Sequence, residues 1–228
     1  MMNGSRKGGP RSEEDLLMAV IHDMRGHLRT SVSRAQMIER DASTPLAPHL
    51  RKHLNDILTA GRDMDQLLNR LAQYAAAGAG QESQPAGDIG IMFNSALRRL
   101  AERNHHAEID SQAILQCGIE VPYAIEGVLR ELLDNALKFR QGPVKITVLL
   151  EQSFEKCSFG IRDTGIGFDP EYYERIMRPL ERLHPPNVYE GCGMGLAICQ
   201  RIIQSLGGRL WAESKLNAGS TFWFTVAV

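Results

Sequence analysis

ELLDNALKF, residues 131–139, is the stretch on which the reading of this chain turns. Glu131 and Asn135 stand four apart and share one helix face, and Lys138 follows three residues later on that side. A carboxylate, a carboxamide and an ammonium therefore line one flank of a helix near its end. Two more blocks follow in order. DTGIGF (163–168) comes after a strand-like run and sets a carboxylate before two glycines. That suits a ligand whose base donates to the acid while its flat ring approaches backbone. GCGMGL (191–196) opens a helical run; its glycines expose backbone N–H groups at the positive end of the dipole, a seat for an anion. Its G-x-G-x-G spacing, with no strand directly before it, departs from the dinucleotide fingerprint. Singly, the first block also fits a solvated helix face and the second a plain turn. Their order and spacing carry the reading.

Outward from these blocks, the chain has 228 residues, 43% hydrophobic and 23% charged, enough for one or two cored domains. The formal net charge of −1 speaks against a general nucleic-acid or anionic-membrane binder. No apolar run approaches the ~18 residues of a membrane span, and the first eleven residues have no secretory h-region. Cys117, Cys157, Cys192 and Cys199 form no CxxC pair and read as free thiols of a reducing compartment, so a cytoplasmic, soluble protein is expected.

Residues 1–12 read as a flexible basic tail. Residues 13–41 read as a helix, with Leu16, Val20, Met24, Leu28, Val32, Ala35 and Ile38 at three- and four-residue steps. Ser12 before three acidic residues is a plausible N-cap. Residues 42–48 carry two prolines and break the pattern. A second helix follows, striped by Leu50, Leu54, Ile57, Gly61, Met64, Leu68, Leu71 and Ala75. Together, residues 13–77 make an α-helical hairpin. One hairpin cannot bury both stripes well, so pairing with a second copy into a four-helix bundle is expected. Residues 78–87 read as a linker, and 88–228 as an α+β domain with one sheet under a helical layer. Helices are expected over 90–103, 122–139 and 194–206, and strands over 144–151, 157–162, 209–214 and 220–228.

Taken together, the three blocks resemble the ATP-binding domain of sensor histidine kinases, within the larger family that holds gyrase, Hsp90 and MutL. ELLDNALKF looks like its N box, DTGIG like the first glycine box, and GCGMGL with GSTFWF (219–224) like the later ones; IMRPLERL (176–183) resembles the box before the lid. With the hairpin, the resemblance covers residues 13–228. It implies ATP and Mg²⁺ as cofactors. Asn135 would hold Mg²⁺, with Glu131 as an outer ligand; Lys138 and Arg182 would meet phosphate oxygens. Phe139 would pack near the adenine and Asp163 accept from its amine. Gly165 and Gly167 would shape the base pocket, while Gly191, Gly193 and Gly195 free a lid, residues 177–190, to close. In the first helix VIHDMRGHLR (20–29) looks like the phosphoacceptor box: His22 would take the phosphoryl group and Asp23 hold its ring. By helix geometry His22 points away from the apolar stripe, with Arg25, Gly26 and Arg29 on its side. The implied partners are a second copy, a response-regulator receiver domain and, if the chain stands alone, a separate sensor protein.

Four positions depart from the family pattern. His27 replaces the helix-bending proline, and Gly26 the Thr or Asn that supports phosphatase action. Glu131 replaces the commoner Asn, and Met177 with Leu180 replace two phenylalanines. Two rival readings remain: a gyrase-like ATPase in which Glu131 activates water, and a dimeric adaptor that no longer turns over. The hairpin with its outward His22 speaks against the first, and the intact nucleotide boxes against the second.

Overall fold

The computed structural model describes residues 13–41, 46–78, 85–101, 107–153, 156–185 and 188–227. The tail, most of the 42–48 breaker and residues 79–84 of the expected linker lie outside these. Two units meet between Ala76 and Ala77, and each is described by itself.

The first unit is a hairpin of α1 (Glu13–Asp41) and α2 (Pro48–Gly78). Three carboxylates, Glu13, Glu14 and Asp15, occupy the first turn of α1, where the helix dipole is positive. Pro48, read from sequence as part of the breaker, instead opens α2, the position where a missing N–H is harmless. The helices run antiparallel: Arg25 reaches Asp65 and Asn69, and Val32 packs on Gly61. A Cβ on Gly61 would lie 2.5 Å from Val32 Cγ2, so the glycine sets how closely the helices approach. The single stripe expected on each helix splits in two. Ile21, Ala35, Leu54, Gly61 and Leu68 are buried, whereas Leu16, Val20, Met24, Leu50, Ile57 and Met64 stay exposed. At steps of four and seven residues, each exposed set lies on one side of its helix.

The second unit begins with β1 (Ala86–Asp88), antiparallel to β3 (Glu120–Pro122). Ala86 and Gly87, read from sequence as linker, are thus strand. Between them lie α3 (Ile89–Ala101), β2 (Ala107–Asp110) and α4 (Gln112–Leu115). After α5 (Ala124–Lys138) come β4 (Val144–Gln152) and β5 (Lys156–Asp163), then a 3-10 turn (Pro170–Tyr172) running into α6 (Tyr173–Ile176). The chain closes through α7 (Gly195–Ser205), β6 (Leu210–Lys215) and β7 (Gly219–Ala227). Five strands form one sheet in the order β2-β4-β5-β7-β6, antiparallel except for the parallel pair β2–β4. Glu108 and Lys145 face each other across that pair, their charges 2.8 Å apart.

Alternation puts Ile146, Val148, Phe159, Ile161, Phe222 and Phe224 on the sheet face that meets α3, α5 and α7, and all are buried. Phe159 and Phe224, opposite each other on β5 and β7, stack at 5.5 Å. The expected α+β sandwich following a helical hairpin is the observed architecture; β1, β2, β3 and α4 are additions to it. On the other sheet face Trp223 lies over Gly160 and stacks on Trp211 at 6.0 Å.

A Cβ on Gly160 would come within 2.8 Å of the Trp223 indole. Gly160→Val should therefore cost about 1–3 kcal/mol through overpacking. Thermal unfolding read by tryptophan fluorescence checks this, because the folded-state emission should also shift as the indole is displaced.

Candidate functional site

Asn135 and Lys138 stand in the last turn of α5, and Phe139 caps it with its amide on the Asn135 carbonyl. The Phe139 carbonyl then accepts from Ile166 N at 3.0 Å, which draws the 163–168 loop onto the end of the helix. On its far side that loop is fixed to the β6–β7 turn. Asn217 N donates to Ile166 O at 2.6 Å and Phe168 N to Ser214 Oγ at 2.8 Å. A Cβ on Gly165 would overlap the Phe139 carbonyl oxygen, and one on Gly167, at φ +59°, the Lys215 carbonyl oxygen. The two glycines are demanded by this close approach of backbones, whatever else they shape.

Asp163 ends β5 as a buried carboxylate. Its Oδ1 accepts from Gly165 N at 2.7 Å and from Ser220 N at 3.3 Å. Burial pushes its pKa up from 3.8 to about 6, against the pull of those two amides. The group can therefore exist in both protonation states near neutral pH.

Glu131 is also buried, one turn before Asn135. Its Oε1 is 3.7 Å from Arg130 Nη2, and a Cβ on Gly195 would lie 2.7 Å from its Oε2. The carboxylate thus rests against the first residue of α7, at the positive end of that helix.

Met177 is buried, and Leu180 adopts a left-handed φ of 67° with its amide on Gly193 O at 3.0 Å. Arg182, expected to meet phosphate, donates to the backbone carbonyls of Gly191 and Tyr189. The Lys138 ammonium sits 4.4 Å from the Phe139 ring centre and close to Gly191. Tyr189 and His184 complete a cluster of rings on Phe139, at 5.1 and 6.1 Å. Neither was assigned a role from the sequence, although both lay within the segment read as a lid. Aromatic residues in a Pro- and Arg-rich stretch were the signal to be had. Residues 186 and 187 of that segment lie outside the described residues.

Glu131, Asn135, Lys138, Phe139, Asp163, Gly165, Gly167, Arg182, Gly191, Gly193 and Gly195 all belong to the second unit, where α5, the 163–168 loop and the 177–195 segment converge. His22 and Asp23 belong to the first. Both are exposed, at 89% and 79% of their side chains, and His22 Nδ1 lies 3.4 Å from Asp23 Oδ1. Helix spacing alone did not supply that contact. Arg25, grouped with His22 from sequence, instead turns to α2.

The donors on α5 also fit a divalent cation carried mainly by a nucleotide. Asn135 and Glu131 offer hard oxygens from adjacent turns, and Mg²⁺ typically takes one or two protein oxygens with phosphates and water. Among the described residues no three His, Cys, Asp or Glu side chains converge on one point.

Residues 120–228 match the family described as histidine kinase-, DNA gyrase B-, and HSP90-like ATPase. The chain is 29% identical over 214 residues to the phytochrome-like protein Cph1 of Synechocystis, covering 91% of this chain and 28% of Cph1. It is 29% identical over 228 residues to the adaptive-response sensory kinase SasA of Synechococcus elongatus, covering 94% of this chain and 59% of SasA. The chain thus spans between about a quarter and three fifths of the length of these curated relatives. In fold it is similar to full-length ShkA in complex with AMPPNP, with TM-score 0.71 and 24% identity over 94% of this chain and 46% of that one. It is likewise similar to the Acinetobacter baumannii histidine kinase AdeS, with TM-score 0.59 and 19% identity over 90% of this chain and 97% of that one. Residues 120–228 thus carry the match to the histidine kinase-, DNA gyrase B-, and HSP90-like ATPase family, and over 94% of its length the chain shares the fold of full-length ShkA.

Proposed function

We propose that this chain is a dimeric, ATP-dependent protein histidine kinase core that phosphorylates His22 and passes the group to an aspartate on a response-regulator receiver domain. Its place of action is the cytoplasm; among the described residues no helix is long and apolar enough to cross a membrane. The observation that carries the reading is the pairing of two features in one chain. One is an exposed imidazole held by a neighbouring carboxylate on a hairpin; the other is the nucleotide-type site at the end of α5.

In this reading Asp163 Oδ2 accepts from the adenine amine, since both backbone amides fall on Oδ1. Phe139 offers its ring to the base. Lys138 and Arg182 are the cations for the phosphates, and the amides of Gly191, Gly193 and Gly195 add donors at the N-terminus of α7. Arg182 exchanges its lid carbonyls for phosphate oxygens as the nucleotide seats. Asn135, with Glu131 behind it, would hold Mg²⁺, which neutralises the charge on the β- and γ-phosphates when bound. At the acceptor, Asp23 faces Nδ1 and keeps the proton there, so Nε2 carries the free lone pair. Nε2 attacks the γ-phosphorus in line, the bond to the β-phosphate oxygen breaks, and ADP leaves. The Nδ1 proton is then shared with or released through Asp23. The exposed sets Leu16, Val20, Met24 and Leu50, Ile57, Met64 give the hairpin an apolar side for a second copy, completing a four-helix bundle.

Incubation with γ-labelled ATP tests the central step. Label should be acid-labile and base-stable. His22→Gln should abolish it with nucleotide affinity unchanged, and Asn135→Ala should reduce it by about 100-fold or more. Label persisting on the His22 variant at the normal rate would refute the acceptor assignment.

Asp163 accepts best from the adenine when ionised, because a proton on Oδ2 turns that oxygen into a donor. ATP affinity measured by calorimetry should therefore hold above pH 7 and fall by up to about tenfold per unit below pH 6. Asp163→Asn should bind more weakly with that pH dependence flattened. Stability follows the same titration: between 3.8 and about 6 the folded state holds the extra proton, so stability falls as pH rises across that window.

Leu54 and Leu68 are already buried within one hairpin, so the dimer is probed on the exposed set. Ile57→Glu with Met64→Glu should give a monomer by sedimentation with its helix content retained, each charge costing a few kcal/mol in an apolar seam. A wild-type protein that is monomeric at micromolar concentration contradicts the bundle.

A further inference from the structure

Arg25 lies one helical turn after His22, yet its guanidinium is directed at α2. Nη2 donates to Asn69 Oδ1 at 2.8 Å, and Nε lies 3.7 Å from Asp65 Oδ1. Asn69 Nδ2 in turn donates to Asp65 Oδ2 at 3.2 Å, so Asp65 and Asn69 form one acceptor pair on α2. The Arg25 side chain is 26% exposed, and its Nε atom is buried with no hydrogen-bond partner. A buried cationic donor left unpaired is costly. The seat on α2 therefore satisfies Arg25 only in part.

A phosphoryl group on His22 changes the competition. Residues three apart on a helix have Cβ atoms about 5–6 Å from each other, well within the reach of an arginine. Phosphate offers three acceptor oxygens in the geometry a guanidinium fork prefers, and more charge than Asp65.

We propose that Arg25 has two seats, Asp65 with Asn69 on α2 when His22 is unmodified and the phosphoryl group on His22 once it is phosphorylated. Phosphorylation then releases the tie between α1 and α2 at this level, and Asp65 competes with the phosphohistidine for one guanidinium. Arg25 is a positioning residue for the hairpin in one state and a phosphoryl ligand in the other. The inference rests on His22 being the acceptor.

Because the two seats compete, loss of the α2 seat must favour phosphorylation. The full chain is brought to equilibrium at fixed ATP and ADP with Mg²⁺, and the phosphohistidine fraction is measured beside the melting of the hairpin by circular dichroism. Asp65→Asn should raise the phosphorylated-to-free ratio about two- to fivefold, the range a half-exposed ion pair supports, while lowering the melting temperature. Asn69→Ala should move both readings the same way. Arg25→Gln should lower both, and adding Asp65→Asn to it should change the ratio no further. A purely structural role moves the melting temperature but leaves the ratio alone. An unchanged ratio in Asp65→Asn, or the same rise in the Arg25→Gln background, overturns the inference, the latter assigning the effect to direct repulsion of the phosphoryl group. Wild-type protein that takes no label overturns the kinase reading itself, and this inference with it.

Discussion

The hydrogen bond from Ile166 N to the Phe139 carbonyl, 3.0 Å long, joins the end of the longest helix of the second unit to the loop that leaves its central strand. Core packing already seats α5 on β5, and this bond fixes the loop that follows the β5 carboxylate against the helix end that carries the carboxamide and ammonium. The loop is then pinned from the other side by Asn217 and Ser214. Gly165 and Gly167 are there because side chains would block these approaches. Asp163 inherits its environment from the same junction. Its burial, and hence its raised pKa, follows from being the last residue of a strand whose loop folds back over it.

A second constraint acts on the 177–195 segment. Arg182 gathers the Tyr189 and Gly191 carbonyls, Gly193 accepts from Leu180, and the rings of Tyr189 and His184 settle on Phe139. The described residues of this segment carry little regular structure and are held by polar contacts within the segment and by ring contacts to Phe139 at the end of α5. Segments with few buried apolar contacts occupy the low-stability end of a protein, where rearrangement around a ligand is least costly.

Much of this was legible in the sequence. The chemistry-bearing blocks sit on the elements their spacing implied, because residues four apart on a helix, or just after a strand, have little freedom of placement. The long helices and the strands β4, β5, β6 and β7 were also readable from their periods. The short elements β1, β2, β3 and α4 were not: three or four residues hold at most two strand repeats or about one helical turn, too few to establish a period. The split of each apolar stripe between an inner and an outer side was equally hidden. Leu54 and Ile57 are equivalent in a periodicity count, and only the register of α1 against α2 separates them. Arg25 shows the same limit, since its partners Asp65 and Asn69 lie forty or more positions away on the facing helix.

The five-stranded sheet ends in two short borders that both carry charge. β2 is four residues long and alternates toward Glu108 and Asp110, while β6 presents Glu213 and Lys215. Short, charged borders are poor templates for strand addition by another chain. Self-association through backbone ladders is thereby discouraged at both ends of the sheet, which protects solubility as the protein accumulates. The exposed apolar side of the hairpin is therefore not joined, at these two borders, by a backbone-mediated route to aggregation.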